Sequence, residues 1–239
     1  MVYQKDSPAE KTPLMTAHVK HIFFDMDGTL VDASLCFINC VRYALTSLGF
    51  EVNNSLDLTR FIGPPILGTF QTLMPNESDA LIALAIERYR ARFVAVGIFE
   101  AHAYPETANM LAHLRNRGLH QSVVTNRAQP LAQQTLEHLQ LAQHFRGIFG
   151  PALADTTSTK VDLFGQAMCA EGLGRNEVVM VGDRSDDIIA AKAHGVRCIS
   201  VTWGFGKVDE LSECGPDYIV SSPAELLDCL DTLAESRPI

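Results

Sequence analysis

His21-Ile22-Phe23-Phe24-Asp25-Met26-Asp27-Gly28-Thr29-Leu30 opens on a short buried-strand pattern that stops abruptly in a polar segment with two carboxylates. The same grammar recurs downstream. Val178-Val179-Met180-Val181 is the clearest buried strand of the chain, and Gly182-Asp183-Arg184-Ser185-Asp186-Asp187 follows it directly. Between and beyond these stretches the rhythm alternates. Thr107 to Arg117 predicts a helix closed by Gly118, Gln121 to Val124 a strand, and Leu131, Leu136 and Leu139 the next helix. Phe145 to Phe149 reads as a further strand, and a helix follows Lys160. Ile188 to His194 is helical up to Gly195, Arg197 to Val201 is strand, and Tyr218 to Val220 is the last strand. Strands alternating with helices imply right-handed crossovers and a parallel sheet covered on both faces.

One segment breaks this rhythm. Leu35, Ile38, Val41, Leu45 and Leu48 fall on one helical stripe that ends at Gly49, and Leu81, Ala85, Tyr89 and Phe93 mark another helix. Gly63-Pro64-Pro65 makes a rigid turn between helices, and no strand pattern occurs over 51–98. The expected organisation is therefore α/β: a Rossmann-like core from residues 20–34 and 103–239, with an all-helical cap inserted at 35–102. Residues 1–19 lack periodicity and are expected to form a flexible tail.

Composition narrows the function classes. With 239 residues, 47% of them hydrophobic and 20% charged, the chain can bury a sizeable core. Its net charge of −9 argues against a nucleic-acid or membrane-surface partner, since such binding needs a basic face. The longest aliphatic run, Ala80 to Ile86, is far too short to span a bilayer. Asp6, Glu10, Lys5 and Lys11 in the first residues leave no apolar stretch for a secretion signal, so a cytoplasmic protein is expected. Six cysteines without a C-x-x-C pair read as reduced thiols, and the histidines show no i, i+4 ligand pair.

In an open parallel sheet, ligands bind beyond the carboxyl ends of the strands. Asp25 and Asp27 follow the first strand, Thr125, Asn126 and Arg127 the second, and Gly182, Asp183, Arg184 and Asp187 the strand at 178–181. Lys160 opens a helix after a Thr-rich loop. Carboxylates gathered on one rim repel unless a cation intervenes, and hard oxygen donors suit Mg²⁺. A phosphoryl group can be neutralised there, with Asp25 as nucleophile and Asp27 as acid and base at the leaving oxygen. Asp187 lies one helical turn beyond Asp183 and faces the same way, orienting metal-bound water, whereas Asp186 faces solvent.

Asp25-Met26-Asp27-Gly28-Thr29-Leu30 resembles the signature of the haloacid dehalogenase superfamily of phosphohydrolases. Thr125, Lys160 and Gly182 to Asp187 are similar to its other three motifs, in the same order. Phe61-Ile62-Gly63-Pro64-Pro65, Tyr104-Pro105 and Val201-Thr202-Trp203-Gly204 further resemble the phosphoglycolate phosphatase-like branch, which carries a helical cap. The resemblance implies Mg²⁺ held by Asp25, the main-chain oxygen of Asp27, and Asp183. It also implies phosphoryl oxygens bound by Thr125 and the Asn126 amide, with Lys160 paired to both Asp25 and the phosphate. A small phosphorylated metabolite is the implied partner, for a monomer or a homodimer.

Several alternatives stay open at this level. A phosphomutase carries the same four motifs, a nucleotide monophosphatase differs only in its leaving group, and a phospho-receiver module or a silent interaction domain is the non-enzymatic alternative. Asp32 is expected to cap the helix at Leu35, and Trp203 to serve packing. Arg127 and Arg184 face either substrate or solvent.

Overall fold

A computed structural model describes residues 19–53, 55–155 and 157–235. The tail expected over 1–19 lies outside these residues except for Val19, which is buried. In chain order the elements are β1 (His21–Phe24), β2 (Val31–Asp32), α1 (Ser34–Ser47), α2 (Ile66–Leu73), α3 (Asp79–Ala95), β3 (His102–Ala103) and α4 (Thr107–Asn116). There follow β4 (His120–Val124), α5 (Gln129–His138), β5 (Ile148–Phe149), α6 (Lys160–Glu171) and β6 (Val178–Gly182). The chain closes with α7 (Ser185–Ala193), β7 (Arg197–Val201), α8 (Val208–Cys214), β8 (Tyr218–Val220) and α9 (Pro223–Glu235).

Six strands form one parallel sheet in the order β5-β4-β1-β6-β7-β8. β1 lies between β4 and β6, so the crossovers leave it in opposite directions and its carboxyl end opens a crevice. Side chains alternate across the sheet as a strand's period of two requires. Ile22 and Phe24 enter one buried cluster with Val179, Val181 and Ile199, while Phe23 enters the other with Val178, Met180 and Phe164. Phe23 and Phe24 are fully buried, each contributing about 1.5–3 kcal/mol of transfer free energy.

The helical insertion leaves and rejoins the α/β portion through β2 and β3, which pair antiparallel as Val31↔Ala103 and Asp32↔His102. Its buried residues, among them Phe37, Phe70 and Phe93, are continuous with the cluster on the Ile22 and Phe24 face of the sheet. The buried side of α1 differs from the stripe expected for it. Cys36, Phe37, Cys40, Val41, Ala44 and Leu45 are buried, whereas Leu35 is 51% exposed. Small side chains, not only large aliphatic ones, mark this face. Phe37 meets Tyr89 edge to face at 5.9 Å, and Cys40 Sγ accepts from Arg92 Nη1 at 3.3 Å, so α3 comes close. Asp32 also differs from expectation. It lies in β2, ahead of the Ala33 cap position, and its Oδ1 accepts from the Ser34 amide at 2.9 Å.

Candidate active site

Asp25 leaves β1 with its amide donating to Val181 O at 2.8 Å, so the strand ladder fixes its backbone. Lys160 reaches it from α6. There Thr159 Oγ1 accepts from Asp162 N at 3.2 Å and Asp162 Oδ2 accepts from Thr159 N at 3.0 Å, a reciprocal cap that sets the first helical residue. That residue, Lys160, is buried, and its ammonium donates to Asp25 Oδ1 and lies 2.6 Å from Asp187 Oδ1. Asp187 Oδ2 in turn accepts from the Arg184 amide at 3.0 Å at the start of α7. Asp183 completes the group. Its Oδ1 accepts from Thr29 Oγ1 at 3.3 Å and its Oδ2 from the Phe205 amide at 2.7 Å.

Asp25, Asp183 and Asp187 are all buried and present oxygens within 4.8 Å of one another. Burial pushes the Asp25 carboxyl well above the usual carboxylate range, Lys160 opposes this, and Asp187 and Asp183 add to it. Burial likewise lifts Asp183 to about 7, with Asp187 reinforcing and the Phe205 amide opposing. Three carboxylates thus face one ammonium, and Asp25 Oδ2 is buried without a hydrogen-bond partner. A hard divalent cation fits this donor set, since all the donors are oxygens and the group is short of positive charge. Gly28 is required by the same crowding. Its φ is +96°, and a Cβ there would collide with the Asp183 carboxylate.

The remaining rim residues lie on the side of the insertion. Asp27 turns its carboxylate to Arg127, whose Nη2 donates to Oδ1 at 2.6 Å and Nε to Oδ2 at 2.9 Å. Thr125 is buried, and its Oγ1 accepts from the Arg127 amide at 3.1 Å. The Asn126 side chain donates to Gly63 O at 2.9 Å, docking the Gly63-Pro64-Pro65 turn onto the rim. A cleft starts at Asp27 and runs between the rim and the insertion, with Phe37, Ile62, Tyr89, Phe93 and Arg127 in its walls.

A family profile described as haloacid dehalogenase-like hydrolase matches residues 22–201, well over half of the chain. The chain belongs to this family. A 5'-nucleotidase of Pseudomonas aeruginosa is 34% identical over 213 residues, covering 89% of this chain and 96% of that protein. A phosphoglycolate phosphatase of Neisseria meningitidis is 31% identical over 227 residues, covering 89% and 94%. Tyrosine-protein kinase PtkA of Mycobacterium tuberculosis is 34% identical over 190 residues, covering 79% of this chain but 64% of its own length. The crystal structure of a predicted phosphatase from Clostridium acetobutylicum superposes with a TM-score of 0.85 at 33% identity, covering 90% of this chain and 100% of that one. The family profile, the nucleotidase, the phosphoglycolate phosphatase and the phosphatase structure support a phosphoric monoester hydrolase.

Within this haloacid dehalogenase-like chain the structure brings Asp25, Lys160, Asp183 and Asp187 into one cluster, sets Asp27 and Asn126 on the cleft, and buries Thr125 under the Arg127 amide. Asp186 is half-buried rather than turned to solvent, and its Oδ2 accepts from Asn126 Nδ2 at 3.4 Å. Arg184 is committed elsewhere, with Nη1 donating to Phe205 O at 3.4 Å and Nε 3.5 Å from a Glu210 oxygen. Trp203 packs against the core and donates to Thr29 O at 3.1 Å. Sequence reasoning missed the holders of Asp183. Thr29 stands inside the first motif and could have been found there, whereas the Phe205 amide carries no side-chain signal.

Proposed function

We propose that the chain is a Mg²⁺-dependent phosphatase that hydrolyses small phosphomonoesters through an aspartyl phosphate on Asp25. The observation that carries this is the state of the Asp25 carboxylate. Oδ1 is paired with Lys160, while Oδ2 is buried, unpartnered and at the carboxyl end of the central strand. Oδ2 attacks phosphorus, the bond from phosphorus to the ester oxygen breaks, and Asp27 delivers a proton to the departing alkoxide. Asp27 then takes a proton from water, which attacks the phosphorus, releasing inorganic phosphate and restoring Asp25. Thr125, the Asn126 amide and Lys160 bind the phosphoryl oxygens. Mg²⁺ would be held by Asp25, Asp183 and the main-chain oxygen of Asp27, with Asp187 beside them, and supplies charge neutralisation of the phosphoryl group.

Residues 35–102 act as a cap over the cleft that starts at Asp27, so the leaving group lies there. The likeness to a 5'-nucleotidase and the aromatic walls of this cleft, Phe37, Tyr89 and Phe93, support a nucleoside leaving group over the two carbons of phosphoglycolate. The protein acts on a metabolite in the cytoplasm, as a monomer or a homodimer. A panel of phosphate esters with Mg²⁺, ranked by kcat/KM, tests this, and nucleoside 5′-monophosphates should lead phosphoglycolate. Asp25→Asn should be inactive on all of them, and mass spectrometry of rapidly quenched parent enzyme should place phosphate on Asp25. Phosphate on any other residue, or an active Asp25→Asn, refutes the mechanism.

A further inference from the structure

Arg90 is half-buried on α3 and lines the cleft beside Tyr89 and, one turn on, Phe93. Among the described residues its guanidinium has no ion pair and no hydrogen bond. The other arginines around the site are taken. Arg127 forks both oxygens of Asp27, Arg92 forks Glu100 through two nitrogens at 2.8 Å, and Arg184 donates to Phe205 O and lies 3.5 Å from Glu210. The acidic groups that line the cleft are taken too. Asp27 faces Arg127, and Asp155 closes its own loop by accepting from the Thr157 and Ser158 amides at 2.8 and 3.1 Å.

Burial disfavours the charge of Arg90, and only Tyr89 opposes this. Asp25, Asp27 and Asp183 are not among the groups that act on it, so Arg90 stands away from the phosphoryl end, where the leaving group lies. A cation that has lost water without gaining a partner calls for acceptors from a ligand. Its planar fork of donors matches two adjacent acceptors better than one. Nucleobases differ in this respect. Guanine and hypoxanthine present O6 beside N7, and cytosine presents O2 beside N3. Adenine instead sets its amino donor beside N1 and N7, and uracil sets the N3 hydrogen between its two oxygens. We propose that Arg90 is a specificity-determining residue that receives the base of the leaving nucleoside and selects bases with two adjacent acceptors, the 6-oxopurines and cytosine, over adenine and uracil. This rests on the nucleoside leaving group proposed above.

Two matched pairs of 5′-monophosphates test it, inosine against adenosine and cytidine against uridine. The members of each pair share size and charge, so apolar walls cannot tell them apart. With Mg²⁺ the parent enzyme should prefer the two-acceptor member by about tenfold or more in kcat/KM in at least one pair, and the pair that shows it separates purine from pyrimidine. Arg90→Gln should bring that ratio to within about threefold of one, mainly by loss on the preferred ester. Arg90→Lys keeps the charge without the fork and should recover little of the preference. It decides the matter where Arg90→Gln fails to fold, and a full preference in Arg90→Lys overturns the paired-acceptor account. No preference in either pair of the parent, or one that survives Arg90→Gln, overturns the proposal and leaves the nucleoside reading intact. Turnover of other phosphate esters but of none of these four overturns that reading and the proposal with it.

Discussion

Lys160→Met removes the one ammonium set among three buried carboxylates while nearly preserving the side-chain length. In the parent, that ammonium contacts Asp25 Oδ1 and lies 2.6 Å from Asp187 Oδ1, with its side chain only 4% exposed. Taking away one partner of a buried ion pair costs about 3–5 kcal/mol, because the other charge is left uncompensated. Protonation offsets part of this, and the sign follows from the raised carboxyls. Asp25 and Asp183 already bind protons more tightly folded than unfolded, so their ionisation weakens the folded state as pH rises through their folded values. Without Lys160 the effect grows. At pH 7 in excess chelator the variant should be less stable by about 3 kcal/mol, a fall of roughly 6–12 °C in Tm for a chain of this length. At pH 5 the gap should shrink to about 1 kcal/mol, and added Mg²⁺ at pH 7 should restore more stability to the variant than to the parent. Urea unfolding followed through Trp203, the only tryptophan, reads all three conditions. A gap that is equal at both pH values, or a variant as stable as the parent at pH 7, would refute the electrostatic account.

Three further perturbations are informative. Asp183→Asn should weaken Mg²⁺ binding by calorimetry on the order of tenfold or more, yet stabilise the metal-free protein increasingly as pH rises from about 4 through 7, since the buried Asp183 carboxyl titrates at about 7. Unchanged Mg²⁺ affinity would exclude Asp183 from the metal site. His21 is fully buried, and burial, aided by the charges of His120 and Arg146, lowers it to about 4. The unfolded chain therefore binds the extra proton between pH 6.5 and 4, and stability falls by about 3 kcal/mol as pH drops through that window. His21→Leu should lose this contribution when urea midpoints at pH 7 and 4.5 are compared, and a variant with the parent's full acid sensitivity would count against it. Gly28→Ala forces a side chain into a φ of +96° and against Asp183, so thermal unfolding should reveal a loss of roughly 2 kcal/mol, with weaker Mg²⁺ binding alongside. Parent-like stability and affinity together would show that the turn has room.

The sheet was legible because each of its strands is a local signal. Val178 to Val181 is a short apolar run and Arg197 to Val201 a mixed one, both bounded by helical patterns, and a parallel sheet built from such units places its site at the strand ends. Asp25, Asp183 and Lys160 were found for the same reason, since each stands at an element boundary that periodicity marks. The buried face of α1 was misjudged because Cys36, Cys40 and Ala44 weigh little in an aliphatic stripe, and only the approach of α3 shows that they face inward.

The sequence by itself determined the α/β alternation, the interrupting helical segment and the rim on which the carboxylates gather, since these follow from backbone periodicity and strand-end topology within short windows. Tertiary structure alone decided the pairings that no motif implied. Lys160 meets Asp187 as well as the Asp25 that the resemblance implies, and Arg127 meets Asp27 across 100 residues. Phe205 holds Asp183 by an amide that every non-proline residue possesses. Pairings at that separation are set by how buried side chains fill the space between packed elements, and no local pattern encodes them.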